Sequence, residues 1–291
     1  MGLNTLHPQY MLMQEDWEIM RDTYGGISLV KAQGQKYLAP TGGMLADGMT
    51  NKSDHGYRMY QGYLQRALFF GFVGEAVRRM VGILNRKPPA IKVPSGMEDV
   101  VESASSKDEH AHQLLRRINE AQLVYGRCGL LMDLPSEPSV DARPWISLYP
   151  ALNIINWVED DLVILDESGQ VLNREELTWS TQKQYRVLRL NPVTGVYEQC
   201  VRIGDDMRPP AEGDYIQPAI RGKTLERLPF VVINATDTIY EPTAPPLLPL
   251  GHLDLAVYRG DADYRQHLHA MGQDTLVVIG ARPAADGTLN T

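Results

Sequence analysis

The chain has 291 residues, 43% of them hydrophobic and 22% charged, a composition that is typical of a folded globular protein and excludes a disordered tail. Its net charge of −8 disfavours a protein that grips nucleic-acid phosphates over its whole surface, although a local basic patch or a channel through which DNA slides remains compatible with it. Two cysteines, no leader pattern and no long apolar span together indicate a soluble intracellular protein without a membrane partner.

The first half of the chain predicts helices. A short amphipathic helix is expected over 13–23, followed by a Gly-rich irregular arm over 25–56. Apolar residues then recur at steps of three and four from Tyr60 to Leu84, which predicts one helix of about seven turns over 60–86, ending before Pro88. Another helix is expected over 110–126, stopped by Gly126.

The second half begins as a β subdomain over about 128–235. Short apolar or alternating runs predict strands at 128–133, 145–149, 154–158, 162–165, 184–190, 196–203 and 230–233. A Pro-rich break at 241–246 then precedes a long helix over 247–271 and a strand over 275–279. The sequence therefore predicts an α+β fold.

Catalytic motifs are missing from the sequence. It contains no P-loop, no GxGxxG after a strand, no GxSxG elbow and no HExxH. His110 and His112 are two positions apart, so they share a metal only if the helix begins after the first of them. The acidic run Glu159, Asp160 and Asp161 falls where a turn between strands is expected. We therefore predict no enzyme, no cofactor and no metal, with a metal-dependent hydrolase as the less favoured alternative.

Basic residues cluster in the C-terminal half of the first long helix. They favour the helix dipole there, and they are also candidate phosphate contacts. The four residues are Arg78, Arg79, Arg86 and Lys87.

Several stretches, taken in order, resemble the portal proteins of tailed bacteriophages, and in particular a divergent portal-like family known as a phage domain of unknown function. Each stretch alone is weakly specific, but the ordered set covers nearly the whole chain. The stretches are 17–22 (WEIMRD), 37–40 (YLAP), 60–67 (YQGYLQRA), 81–88 (VGILNRKP), 125–133 (YGRCGLLMD), 143–149 (RPWISLY), 154–157 (IINW), 228–231 (LPFV) and 254–264 (DLAVYRGDADY).

The resemblance implies a structural role in the virion. Portal proteins form a dodecameric homo-oligomeric ring, the head–tail connector at one capsid vertex, through which double-stranded DNA passes non-specifically during viral genome packaging and ejection. Expected partners are the terminase large subunit, a head–tail adaptor and the major capsid or scaffold protein. The protein would lie in the host cytoplasm during assembly and at the portal vertex afterwards. Another phage head or adaptor protein that binds protein partners is the alternative.

The resemblance also implies a division of the chain. Residues 1–240 would form the wing, 241–271 the stem helix, and 272–291 the start of an incomplete clip, so that the chain looks C-terminally truncated before the returning stem helix, tunnel loop and crown. Asp261 and Arg265, four apart on a helix, could pair within the chain or between neighbouring subunits. The candidate subunit-contact or channel residues are Asp254, Tyr258, Arg259, Asp261, Asp263, Tyr264 and Arg265.

Overall fold

A computed structural model of the chain describes residues 2–133, 143–220, 223–272, 282–283 and 289–290. The fold is α+β, as the sequence predicts, and its sheets are antiparallel. It comprises two compact units: the first contains residues 1–26 and 71–254, and the second contains residues 27–70 and 255–291. The portal-specific division into wing, stem and clip stays a prediction.

The described helices that lie wholly in the first unit are α1 (Pro8–Gly25), α5 (Phe72–Leu84), α6 (Glu98–Glu102) and α7 (Ala111–Tyr125). The first helix begins five residues earlier than the predicted start at 13. Its N-cap, His7, accepts a hydrogen bond from the Gln9 amide, and Pro8 occupies the first helical position, where its missing N–H costs nothing. The helix expected over 110–126 is confirmed as α7, and Gly126, with a φ of 76°, ends it.

The single long helix predicted over 60–86 is wrong. The structure has two helices there, α4 (His55–Arg66) in the second unit and α5 in the first. The chain leaves α4 in an extended conformation at Ala67 and enters α5 from Gly71, whose φ of 72° lies in the left-handed region. A glycine adopts that conformation readily, whereas other residues resist it, so Gly71 fixes the break.

The first unit also contains two larger antiparallel sheets. All seven predicted strands are confirmed within one or two residues as β1 (Arg127–Asp133), β2 (Trp145–Pro150), β3 (Ile154–Val158), β4 (Leu162–Asp166), β7 (Gln184–Leu190), β8 (Tyr197–Ile203) and β11 (Phe230–Asn234). The strand order in one sheet is β11-β1-β2 and in the other β3-β4-β7-β8. The hairpins β5 (Gly169–Asn173) with β6 (Thr178–Gln182), and β9 (Ala219–Ile220) with β10 (Lys223–Thr224), were not predicted.

The main core of the first unit lies between α1 and the two sheets. Trp17, Leu131, Ile154 and Leu165 are all fully buried in it, and burial of such side chains is the principal favourable contribution to folding. Arg186 on β7 ties the sheets together, because it pairs with Asp133 on β1 at 2.8 Å and with Glu167 at 2.8 Å.

The irregular arm predicted over 25–56 is wrong, because the structure has short helices in this part of the second unit. These are α2 (Ile27–Ala32), a 3₁₀ turn (Gly34–Lys36) and α3 (Gly42–Ala46), followed by α4. The helices before α4 are too short to show a recurring apolar pattern, which is the signal that predicts a helix from sequence. Contacts with other parts of the unit stabilise them instead. For example, the hydroxyl of Tyr60 donates to the Leu38 carbonyl at 3.0 Å.

Two short strands near the end of the chain, β12 (Arg282–Pro283) and β13 (Leu289–Asn290), pair antiparallel. The strand predicted over 275–279 lies outside the described residues. None of the described helices combines the length and the apolarity that crossing a membrane demands.

Candidate functional site: helix α8

The long helix predicted over 247–271 is confirmed as α8 (Leu248–Met271). Its first turn follows the Pro-rich segment, and the Leu248 amide donates to the Pro245 carbonyl at 3.1 Å. Gly251 lies against α1, where a Cβ atom would come within 2.9 Å of the Met20 sulfur. A glycine therefore allows α8 to pack closely on α1.

Asp254 is one of the predicted subunit-contact or channel residues, and the structure corrects that prediction. Its side chain is buried within the first unit, and one carboxylate oxygen accepts a hydrogen bond from the Val73 amide at 3.2 Å. Burial raises the pKa of Asp254, although the backbone amides of Val73, Phe72 and Gly71 act in the opposite direction. A carboxylate that caps α5 from inside the unit cannot line a channel.

Tyr258 requires the same correction. It is fully buried in the second unit, and its ring meets Phe69 edge to face with 6.0 Å between the centroids. Burial raises the pKa of Tyr258 to about 12. The side chain therefore belongs to the core and is inaccessible to DNA or to another subunit.

The charged residues that follow on α8 make contacts within the second unit. Arg259 donates to the Tyr37 carbonyl at 2.9 Å, and Asp263 accepts from the Tyr63 hydroxyl. The predicted pairing of Asp261 with Arg265 is confirmed within one chain, with 2.7 Å between Nε and the carboxylate oxygen.

A row of exposed apolar side chains remains on α8. Tyr264, Leu268 and Met271 are 62%, 51% and 83% exposed, and their spacing of four and three places them on one face of the helix. We call these three residues the α8 stripe. Sequence reasoning identified Tyr264 alone, although the i, i+4, i+7 spacing was visible in the sequence.

The candidate phosphate contacts lie on and just after α5. Arg78 and Arg79 are exposed and both pair with Glu75, at 2.5 and 2.6 Å, so their charge is partly compensated. Arg86 and Lys87 follow the end of α5 and are also exposed. The role of these four residues as contacts to nucleic-acid phosphates stays a prediction.

A cleft of about 430 Å³ opens among α1, α5 and α7. Its lining includes Arg78 and Arg116, and the Tyr24 hydroxyl donates to the Glu120 carboxylate across it. Of the four predicted phosphate contacts, the cleft contains only Arg78.

The residues proposed for a metal-dependent hydrolase are arranged differently from a metal centre. His110 caps α7, its Nδ1 accepts the His112 amide at 3.2 Å, and the two rings stack at 4.9 Å. The acidic run Glu159, Asp160 and Asp161 forms the turn between β3 and β4. Among residues 2–133, 143–220 and 223–272, no three His, Cys, Asp or Glu side chains come together as metal ligands.

No protein-family model matches the sequence, and no curated protein matches it either.

Proposed function

We propose that the chain is a structural subunit of a phage portal ring, with no catalytic activity of its own. The ordered set of portal-like stretches supports this function, as does a fold in which an α+β body precedes a 24-residue helix. The observation that carries the proposal is the α8 stripe, because three large apolar side chains exposed along one helix face favour a protein partner. In a ring, that partner is the neighbouring subunit.

The charge distribution agrees with a conduit for DNA. A net charge of −8 limits the number of phosphate contacts that would hold DNA in place, and DNA that must slide requires few of them. The terminase large subunit, a head–tail adaptor and the capsid or scaffold protein are the further partners that this role implies.

Negative-stain electron microscopy with light scattering on the purified chain tests the proposal. We expect rings with a central hole and a mass that is a multiple of the 32.6 kDa chain. A monomer at all concentrations would contradict the assembly that we propose.

A pair of variants locates the contact. Replacing Tyr264, Leu268 and Met271 by serine should abolish the rings while the circular dichroism spectrum stays native. The matched control replaces Leu177, Trp179 and Val193, which are 75%, 67% and 91% exposed on hairpins of the β subdomain, and should leave the rings intact. Loss of rings in both variants, or in the control alone, would show that the α8 stripe is not the specific contact.

A further inference from the structure

The side chain of Arg127, at the start of β1, is fully buried in the core of the first unit. None of its three guanidinium nitrogens has a hydrogen-bond partner among the described residues. Arg186 in the same unit provides a direct contrast, because it is mostly buried and pairs with two carboxylates. Within the part of the chain that the structure describes, Arg127 therefore presents five N–H donors to the interior without an acceptor.

The described groups around Arg127 leave its positive charge uncompensated. Its guanidinium carbon lies 4.8 Å from the Trp157 ring centroid, which provides a cation–π contact but no hydrogen bond. The two groups that influence Arg127 electrostatically, Cys128 and Tyr240, are both neutral at pH 7, because burial raises the pKa of Cys128 to about 12 and also raises that of Tyr240. His7, whose ring stacks on Trp157, has a pKa lowered by burial and by Arg127 itself.

Deprotonation of Arg127 does not remove its buried positive charge at pH 7. Burial lowers the pKa of Arg127 to about 10. At pH 7 only about one molecule in a thousand would then carry a neutral guanidine. An isolated buried charge is strongly unfavourable, so a protein that keeps one needs a counter-charge or polar ligand beside it.

A buried side-chain oxygen without a described hydrogen-bond partner, Oδ1 of Asn234, belongs to the residue paired with Arg127 across the sheet. Asn234 on β11 is its cross-strand partner, so the two side chains emerge on the same face of the sheet. The amide nitrogen of Asn234 donates to Asp237, Ile239 and Glu241, while its Oδ1 is buried without a partner. The Asn234 amide is thus fixed by its own donors and does not reach the guanidinium.

We propose that Arg127 is a buried binding site for a small inorganic anion of the size of chloride. This inference is independent of the portal function. The anion accepts hydrogen bonds from the guanidinium and balances its charge, with Trp157 covering one face of the site. Because Arg127 is inaccessible from the surface, the anion is enclosed when the chain folds and stabilises the folded state.

Urea unfolding in sodium chloride and in sodium gluconate at equal ionic strength tests the site, because gluconate is too large to be enclosed. At a chloride concentration ten times the dissociation constant, the unfolding equilibrium constant should fall about tenfold relative to gluconate. The R127M variant should lose this difference. The matched control R186M, which removes an arginine with carboxylate partners, should be destabilised yet keep it.

Crystals of the unmodified protein grown with bromide provide a readout that needs no variant. An anomalous peak within hydrogen-bonding distance of the Arg127 guanidinium would support the proposal. Coincident unfolding curves in the two salts, together with no bromide peak beside Arg127, would overturn it and indicate that water satisfies the guanidinium.

Discussion

The carboxylate of Asp254 on α8 accepts a hydrogen bond from the amide of Val73 on α5, at 3.2 Å and across 181 residues of sequence. The N-cap residue of α5, Gly71, has no side chain to perform this role. The first amides of a helix require acceptors, and a negative charge near them is favoured by the helix dipole. Asp254 therefore caps α5 from a distant part of the chain, within the first unit.

Replacing Asp254 by alanine should destabilise the chain by about 1–3 kcal/mol, because it leaves the buried Val73 amide without its acceptor. Asparagine at the same position keeps an acceptor and should cost less. Urea unfolding of the two variants at pH 7 measures both values. Equal stabilities for the two variants would mean that the hydrogen bond to Val73 contributes little.

The same asparagine variant should reveal the titration of Asp254. Its pKa in the folded chain is raised above the ordinary 3.8, so the folded state binds the proton more tightly than the unfolded state. The contribution of Asp254 to the free energy of unfolding is thus largest below pH 3.8 and falls as pH rises through the raised pKa. The free energy of unfolding of the wild type relative to that of Asp254→Asn should therefore fall as pH rises over that window. A relative free energy that rises with pH would show that the amides of α5, and not burial, dominate the pKa of Asp254.

Two glycines of α8 should respond oppositely to alanine. At Gly251 a new Cβ would come within 2.9 Å of the buried Met20 sulfur, and overpacking of this kind should cost about 1–2 kcal/mol. At Gly260 no described atom outside the local helix backbone lies within 4 Å of the new Cβ, so alanine should stabilise the helix by about 0.5–1 kcal/mol. Thermal unfolding of the two variants checks the prediction, and equal effects would argue against the close packing of α8 on α1.

The bounds of helices and strands could be predicted from the sequence where one face of the element is buried. The strands β4 and β7 alternate or run apolar because they pack on the core, and their bounds follow from that pattern. The hairpin of β5 and β6 is almost wholly exposed on both faces, so its sequence contains no such alternation. Similarly, the pairing of Asp261 with Arg265 is local and predictable, whereas the contact from Asp254 to Val73 links distant segments.

The prediction of a single long helix over 60–86 failed for a different reason. Ala67 and Phe69 are buried in the segment between α4 and α5, so the apolar periodicity continues through a stretch that is not helical. The break depends on a backbone angle at Gly71, which hydrophobic periodicity does not report.

The break itself can be tested at Gly71. Alanine there must adopt a φ of 72°, which should destabilise the chain by about 1–2 kcal/mol. The control is Gly82→Ala in the last turn of α5, where no described atom outside the local helix backbone lies within 4 Å of the new Cβ and the substitution should stabilise by up to about 1 kcal/mol. Stabilisation by both variants in urea unfolding would indicate a continuous helix through 60–86.

His7 should make stability depend on pH near neutrality. Its Nδ1 accepts the Gln9 amide at 3.2 Å and its ring stacks on Trp157 at 4.0 Å. Both contacts are made by a neutral ring whose pKa is lowered from 6.5 by burial and by Arg127, so the unfolded chain binds the proton more readily. The contribution of His7 to the free energy of unfolding should therefore be complete above pH 6.5 and decrease as pH falls through the lowered pKa.

Asparagine and alanine at position 7 separate the titration from the helix cap. His7→Asn keeps an N-cap acceptor and does not titrate, so the wild type should lose stability relative to it between pH 7.5 and pH 5. His7→Ala lacks the acceptor and should be less stable than His7→Asn by about 1 kcal/mol at both pH values. If the wild type and His7→Asn instead follow parallel pH profiles in urea unfolding, His7 binds its proton equally well in the folded and unfolded chains, and the stacked ring on Trp157 does not depend on its charge.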